Sequence, residues 1–112
     1  MVKQKDIISI ESYHEETDRY SKTDYVVISR DEYNIATKQL LACEVIYLND
    51  KRPFLIPINV LGLRRYSQVN TLNLYTLKRN EKGSSKKHLG KITTNELLKI
   101  AQAVLLNFNF PL

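Results

Sequence analysis

The sequence predicts a small, mainly β domain with some helix: a strongly bent antiparallel sheet or barrel, a short helix between strands and a second helix near the C-terminus. Three observations predict it. First, residues 25–29, 40–47 and 54–58 are short apolar runs rich in β-branched, aromatic and leucine residues, each bounded by polar residues or proline. Second, Ser29 stands three residues before Glu32, and Thr93 three before Glu96. That spacing marks a capping box, in which the hydroxyl and the carboxylate reciprocally satisfy the first free amides of a helix. Third, the apolar residues after Thr93 recur at helical spacing, whereas those of 71–78 alternate.

Residues 6–11, Asp-Ile-Ile-Ser-Ile-Glu, read as the first strand because they are β-branched and bounded by charge. Residues 12–23 have no periodicity and no apolar anchor except tyrosine, so they read as an exposed crossing loop. This loop gathers His14, Glu15, Asp18, Arg19, Tyr20 and Lys22, more titratable chemistry than any other window. The second strand, 25–29, leads into a helix capped at Ser29, and the third strand is 40–47. Asn49-Asp50-Lys51-Arg52 reads as a hairpin turn, Pro53 as the start of the fourth strand, and Pro57 as the mark of an edge or an early end.

Asn59-Val60-Leu61-Gly62 is a turn. Within 71–78, Leu72 and Leu74 alternate against Thr71, Asn73 and Tyr75, which predicts a half-buried strand with the leucines inward. The basic, Gly/Ser-containing stretch 79–88 reads as a mobile hairpin tip that could also ride a phosphate backbone. The final helix runs from the Thr93 box to about Asn107. Leu97, Ala101, Val104, Leu105 and Phe108 form its core stripe, while Asn95, Lys99 and Gln102 face away.

At 112 residues the chain has room for one core and is read as a single domain, 1–112. Seven Tyr and three Phe supply enough apolar bulk to exclude disorder as the default. No apolar run approaches the roughly 20 residues that cross a bilayer, and the N-terminal stretch lacks a signal-peptide core. The lone Cys43 lies in an apolar strand with no basic neighbour, so it reads as a buried thiol in a reducing compartment rather than a nucleophile. A cytoplasmic protein with no membrane partner is expected. The net charge of +5 is uneven: residues 61–112 hold nine Lys/Arg against two Asp/Glu, and residues 1–60 hold eight against ten. A basic half suits a polyanionic partner, nucleic acid first.

The order of these features resembles the MazF/PemK family of toxin endoribonucleases. The family's opening Gly-Asp and strand fall on Lys5-Asp6 and 7–10. Its Arg-Pro, three apolar residues and Ser, followed by a helix with Tyr-Asn, fall on Thr23-Asp24, 25–28, Ser29 and Tyr33-Asn34. Its Cys/Val-Pro-apolar-Thr strand and following Pro-Phe fall on Cys43, Glu44, Val45, Ile46 and Pro53-Phe54. Its Asp-Gln signature resembles Ser67-Gln68-Val69-Asn70-Thr71, and its closing Gly-basic-apolar-Thr motif looks like Gly90-Lys91-Ile92-Thr93. The likeness spans nearly the whole chain. It implies a PemK/CcdB-like barrel, a homodimer, cleavage of single-stranded RNA with no metal or cofactor, and an acidic antitoxin that fills the RNA groove.

Two positions depart from the family. Its catalytic Arg falls on Thr23 and its catalytic Thr on Ile46, and a methyl group cannot stabilise a phosphorane. Losing one aimed donor typically lowers rate by about a hundredfold to a thousandfold. Replacement chemistry is sought in the preceding loop. Asp18 falls at the family's acidic loop position, Arg19 could supply a cation, and His14 could take the 2′-hydroxyl proton. The ordinary alternatives are a solvated His14 and an Arg19 paired to Glu15 or Asp18. Lys22 or Tyr47 is the second candidate, with Tyr47 expected on the sheet face opposite Ile46. The candidate catalytic set is therefore His14, Asp18, Arg19, Lys22 and Thr23. The candidate RNA-binding set is Lys51, Arg52, Gln68, Lys78, Arg79, Lys82, Lys86 and Lys87. Three functions fit: an endoribonuclease with an altered site, a catalytically silent RNA- or antitoxin-binding protein, or a generic small β interaction domain.

Overall fold

The computed structural model describes residues 2–78 and 84–107; Arg79, Lys82 and Phe108 lie outside them. The elements are β1 (Asp6–His14), β2 (Arg19–Val27), α1 (Asp31–Thr37), β3 (Gln39–Ile46), β4 (Leu55–Ile58), β5 (Ser67–Lys78), β6 (Ser84–Lys91) and α2 (Thr94–Asn107). Among the described residues, six strands form one antiparallel sheet in the order β4-β5-β3-β2-β1-β6. The expected class, mainly β with a short internal helix and a C-terminal one, is the one observed. The sheet curls without closing into a barrel, because β4 and β6 remain its edges.

The curl brings the β4–β5 loop against β6. Val60 Cγ1 lies only 2.7 Å from where a Cβ on Gly90 would stand, so the two meet because residue 90 has no side chain. Glu96 ties the start of α2 to the same corner. Its Oε2 accepts from Asn59 N at 2.7 Å and its Oε1 from Thr93 N at 2.8 Å. Glu96 N in turn donates to Thr93 Oγ1 at 3.1 Å, completing the expected capping box.

One sheet face carries Ile7, Val26, Cys43, Val45 and Val69 under Ile92 and the helical Ile100 and Val104. Ile8, Val27 and Leu40 form a smaller cluster on the other face. Of the expected helical stripe, Leu97 and Val104 pack inward, but Leu105 is 62% exposed. It lies one residue past Val104, about 100° round the helix, and the buried centre is Ile100 instead.

Several further local expectations change. Residues 12–23 are mostly not a loop: β1 and β2 continue as a hairpin arm, pairing Glu11 with Lys22, Tyr13 with Tyr20 and His14 with Arg19. Ser29 does not cap α1, whose N-cap is Arg30 without a side-chain bond. The buried Ser29 hydroxyl instead donates to Asn34 Oδ1 and accepts from Leu41 N at 2.9 Å, joining α1 to β3. The segment after β3 is not a hairpin turn either, since β5 lies between β3 and β4. Finally, Leu72 and Leu74 point outward, 52% and 40% exposed, while Thr71 is buried and its hydroxyl donates to Phe54 O at 2.6 Å. The cause is a bulge: residues 71–74 stand opposite Cys43 alone, between the pairs Glu44–Asn70 and Ala42–Tyr75. Pro57 does sit on an edge strand, and Lys86, Lys87 and His88 belong to β6 rather than to a hairpin tip.

Two stability measurements follow from this packing. Gly90→Ala is expected to lower stability by about 1–3 kcal/mol in urea unfolding, and much less in a Val60→Ala background. A neutral Gly90→Ala would show that the corner is loose. Burial also pushes the Cys43 thiol from an ordinary 9.0 up to about 11. The fold keeps this proton longer than the unfolded chain does, so the stabilisation is complete below pH 9 and lost as pH rises towards 11. Cys43→Ala should flatten the fall of the urea midpoint across that window; equal slopes would contradict the assignment.

Candidate functional site

β2 and β3 run side by side with Asp24 opposite Val45, which sets Lys22, Thr23 and Asp24 next to Val45, Ile46 and Tyr47. The curl then swings Gly62, Leu63 and Arg64 of the β4–β5 loop and Leu89 of β6 over them. These residues, together with Glu44, line a cavity of about 610 Å³.

Its floor is a buried carboxylate. Asp24 is 8% exposed; Oδ2 accepts from the Tyr47 hydroxyl, and among the described residues Oδ1 has no hydrogen-bond partner. The residue opposite it on β1 is Ser9, whose buried Oγ is also unpartnered. Burial raises the Tyr47 phenol well above its ordinary value, and the Asp24 hydrogen bond and charge raise it further, with Arg64 acting the other way. Tyr47 therefore stays protonated and donating. Above it, the Arg64 guanidinium lies 4.7 Å from the ring centroid. The lining contains no histidine and no cysteine, so no side chain with an ordinary pKa near neutrality faces the cavity.

The structure brings Lys22 and Thr23 of the candidate catalytic set to this cavity, beside Ile46. His14, Asp18 and Arg19 are not among its lining. They sit at the arm tip, where Arg19 is four residues from Thr23, roughly 13 Å along the strand. There His14 Nε2 lies 2.9 Å from Ser21 Oγ. Tyr13 donates its hydroxyl to Asp18, which raises the Tyr13 phenol, and the Tyr13 and Tyr20 ring centroids are 4.9 Å apart.

The candidate RNA-binding set is scattered. Lys87 lies opposite Ser9 on β6, on the same face as Leu89 and the cavity. Lys86 is on the reverse face, opposite Ile10, and Lys78 ends β5 opposite Gln39. Lys51 and Arg52 occupy the crossing between β3 and β4. Arg52 binds Asp50 at 2.8–2.9 Å, which lowers the Asp50 pKa, and lies over Phe54. Gln68 is buried, its Nε2 donating to Asp50 O at 2.6 Å and its Oε1 accepting from Asp50 N at 3.2 Å. It clamps the crossing. Arg64 and the Asp24–Tyr47 pair escaped sequence reasoning as a unit. Tyr47 is named singly as a candidate above, and for Arg64 the sequence signal was the Arg64-Arg65 doublet just after Gly62.

Comparison with solved structures matches the backbone over nearly its full length. An endoribonuclease in complex with its cognate antitoxin, from a mycobacterial species, superposes with a TM-score of 0.76 at 16% identity, covering 100% of this chain and 99% of that one. MazF in a MazE–MazF complex from Deinococcus radiodurans gives 0.79 at 14% identity, covering 98% of each chain. The Mycobacterium tuberculosis toxin MazF-mt6 gives 0.66 at 13% identity, over 93% of this chain and 99% of that one. The fold is that of the MazF toxins.

Comparison with protein-family models and with curated sequences returns no match. The MazF likeness is therefore one of backbone, at 13–16% sequence identity. Lys5 illustrates the difference: it takes φ 78°, in the left-handed region, at the position where the resemblance places glycine. Its backbone is held there by Lys5 N to Val27 O at 2.8 Å and Ile92 N to Lys5 O at 3.0 Å. No described helix is long and apolar enough to cross a membrane.

If Gln68 is a clamp, Gln68→Ala should lower stability by about 1–3 kcal/mol, because the Asp50 backbone groups lose their partners. Lys51→Ala should leave the thermal midpoint within a degree or so. Equal effects of the two changes would remove the distinction.

Proposed function

We propose that this chain is a MazF-type protein that binds single-stranded RNA across the cavity face, with its cutting site altered from the family's. The observation that carries the reading is the convergence of Lys22 and Arg64, from separate elements, on one cavity beside a tyrosine ring. Cations over phosphates and an aromatic face beside bases are the usual means of holding an unpaired strand. Lys87 adds a further cation on the same sheet face along β6.

The chemistry of cutting is weaker in this reading. Thr23 and Ile46 both line the cavity, so the two positions that the resemblance makes catalytic lie together, but without a guanidinium or a second hydroxyl. His14 and Arg19 would have to reach the bound strand from the arm. An acidic antitoxin segment is proposed to compete for the same face, as MazE–MazF complexes among the structural neighbours suggest. A homodimer and a reducing, cytoplasmic setting complete the proposal, the latter supported by the buried, unpaired Cys43.

The test is incubation of purified protein with long single-stranded RNA in EDTA. The expected outcome is binding that weakens steeply with salt, with no discrete cuts. The double variant Thr23→Arg, Ile46→Thr should then gain discrete cuts, since both side chains enter the same cavity. Efficient cutting by the unaltered protein would overturn the silent site, and salt-insensitive or absent RNA binding would leave the generic interaction domain.

A further inference from the structure

Arg64 occupies an unusual setting for a loop arginine. Its guanidinium lies 4.7 Å from the Tyr47 ring centroid, and among the described residues it forms no ion pair. A guanidinium resting near a ring can use the π face while keeping N–H donors available to an anion. The ring is itself fixed, because the Tyr47 hydroxyl donates to the buried Asp24. The stack Asp24–Tyr47–Arg64 thus holds a flexible side chain at the cavity, at a lower entropic cost than ordering it on binding. Lys22 lies on the same lining, and Glu44, opposite Tyr25 on β2, is its other carboxylate.

We propose that Arg64 grips a backbone phosphate of single-stranded RNA, and that Tyr47 and Asp24 are the residues that position it. The inference rests on the RNA-binding reading above and adds the residue that makes the phosphate contact. The guanidinium comes from the β4–β5 loop, rather than from position 23 of β2, where the resemblance expects it. Asp24, which stands where the resemblance has proline, acquires a purpose: its carboxylate orients the ring that carries the arginine.

The test is titration of a fluorescein-labelled oligouridine with the full chain over a range of salt. Arg64→Ala should weaken binding about tenfold to a hundredfold and reduce the salt slope by roughly 0.7, the value of one phosphate contact on a single strand. Tyr47→Leu should give a similar loss in the parent protein but almost none in the Arg64→Ala background. Tyr47→Phe, which keeps the ring, should recover part of the affinity. A purely structural tyrosine would instead weaken binding equally in both backgrounds, and that result overturns the positioning role. If the parent protein binds RNA but Arg64→Ala changes neither affinity nor slope, the phosphate grip is wrong while RNA binding stands. If the parent binds only an acidic peptide and no RNA, both fail.

Discussion

The contact between Val60 and the bare backbone of Gly90 is the constraint on which the rest of the structure depends. An open six-stranded sheet of this size is free to twist, and nothing in β1–β2–β3 alone would produce a hollow. The close approach at Gly90 draws the β4–β5 loop over the middle of the sheet, and Glu96 fastens that loop to α2 through Asn59. Arg64 then lies across from Lys22, although 41 residues separate them in sequence. A side chain at position 90 would collide with the Val60 methyl, 2.7 Å away, and disturb the contact that seats this loop.

A second consequence concerns the buried polar groups. Asp24 stands beside Val26 and Val45 of the larger core cluster, opposite the buried Ser9. Burying a carboxylate is costly unless it is hydrogen-bonded, and only one of its oxygens has a partner among the described residues. Such a group is poor material for stability. In the proposed function it serves the groove instead, by fixing the tyrosine on which the arginine rests.

Much of the fold was legible because its signals are local. The Thr93–Glu96 box formed as spaced, since both partners lie within one turn. The same spacing at Ser29–Glu32 misled, because Ser29 is buried and its hydroxyl found Asn34 and Leu41, partners that only tertiary packing supplies. The arm was hidden because its strands pair polar with polar, as in Glu11 with Lys22 and His14 with Arg19, leaving no apolar alternation to read. The outward turn of Leu72 and Leu74 follows from a bulge opposite Cys43, which no period in β5 records. Of the cavity lining, Lys22, Thr23, Ile46 and Tyr47 are the residues that the sequence analysis singles out. Arg64 and the bond from Tyr47 to Asp24 were not legible, because they are unremarkable until the curl brings three separate segments together.

The most direct test of the account is backbone amide NMR of the protein titrated with a short single-stranded RNA. The largest shifts are expected at Lys22, Asp24, Tyr47 and Arg64, with smaller ones along β6. Shifts confined to the arm tip around His14 and Arg19, or to the exposed leucines of α2, would place RNA elsewhere and contradict it.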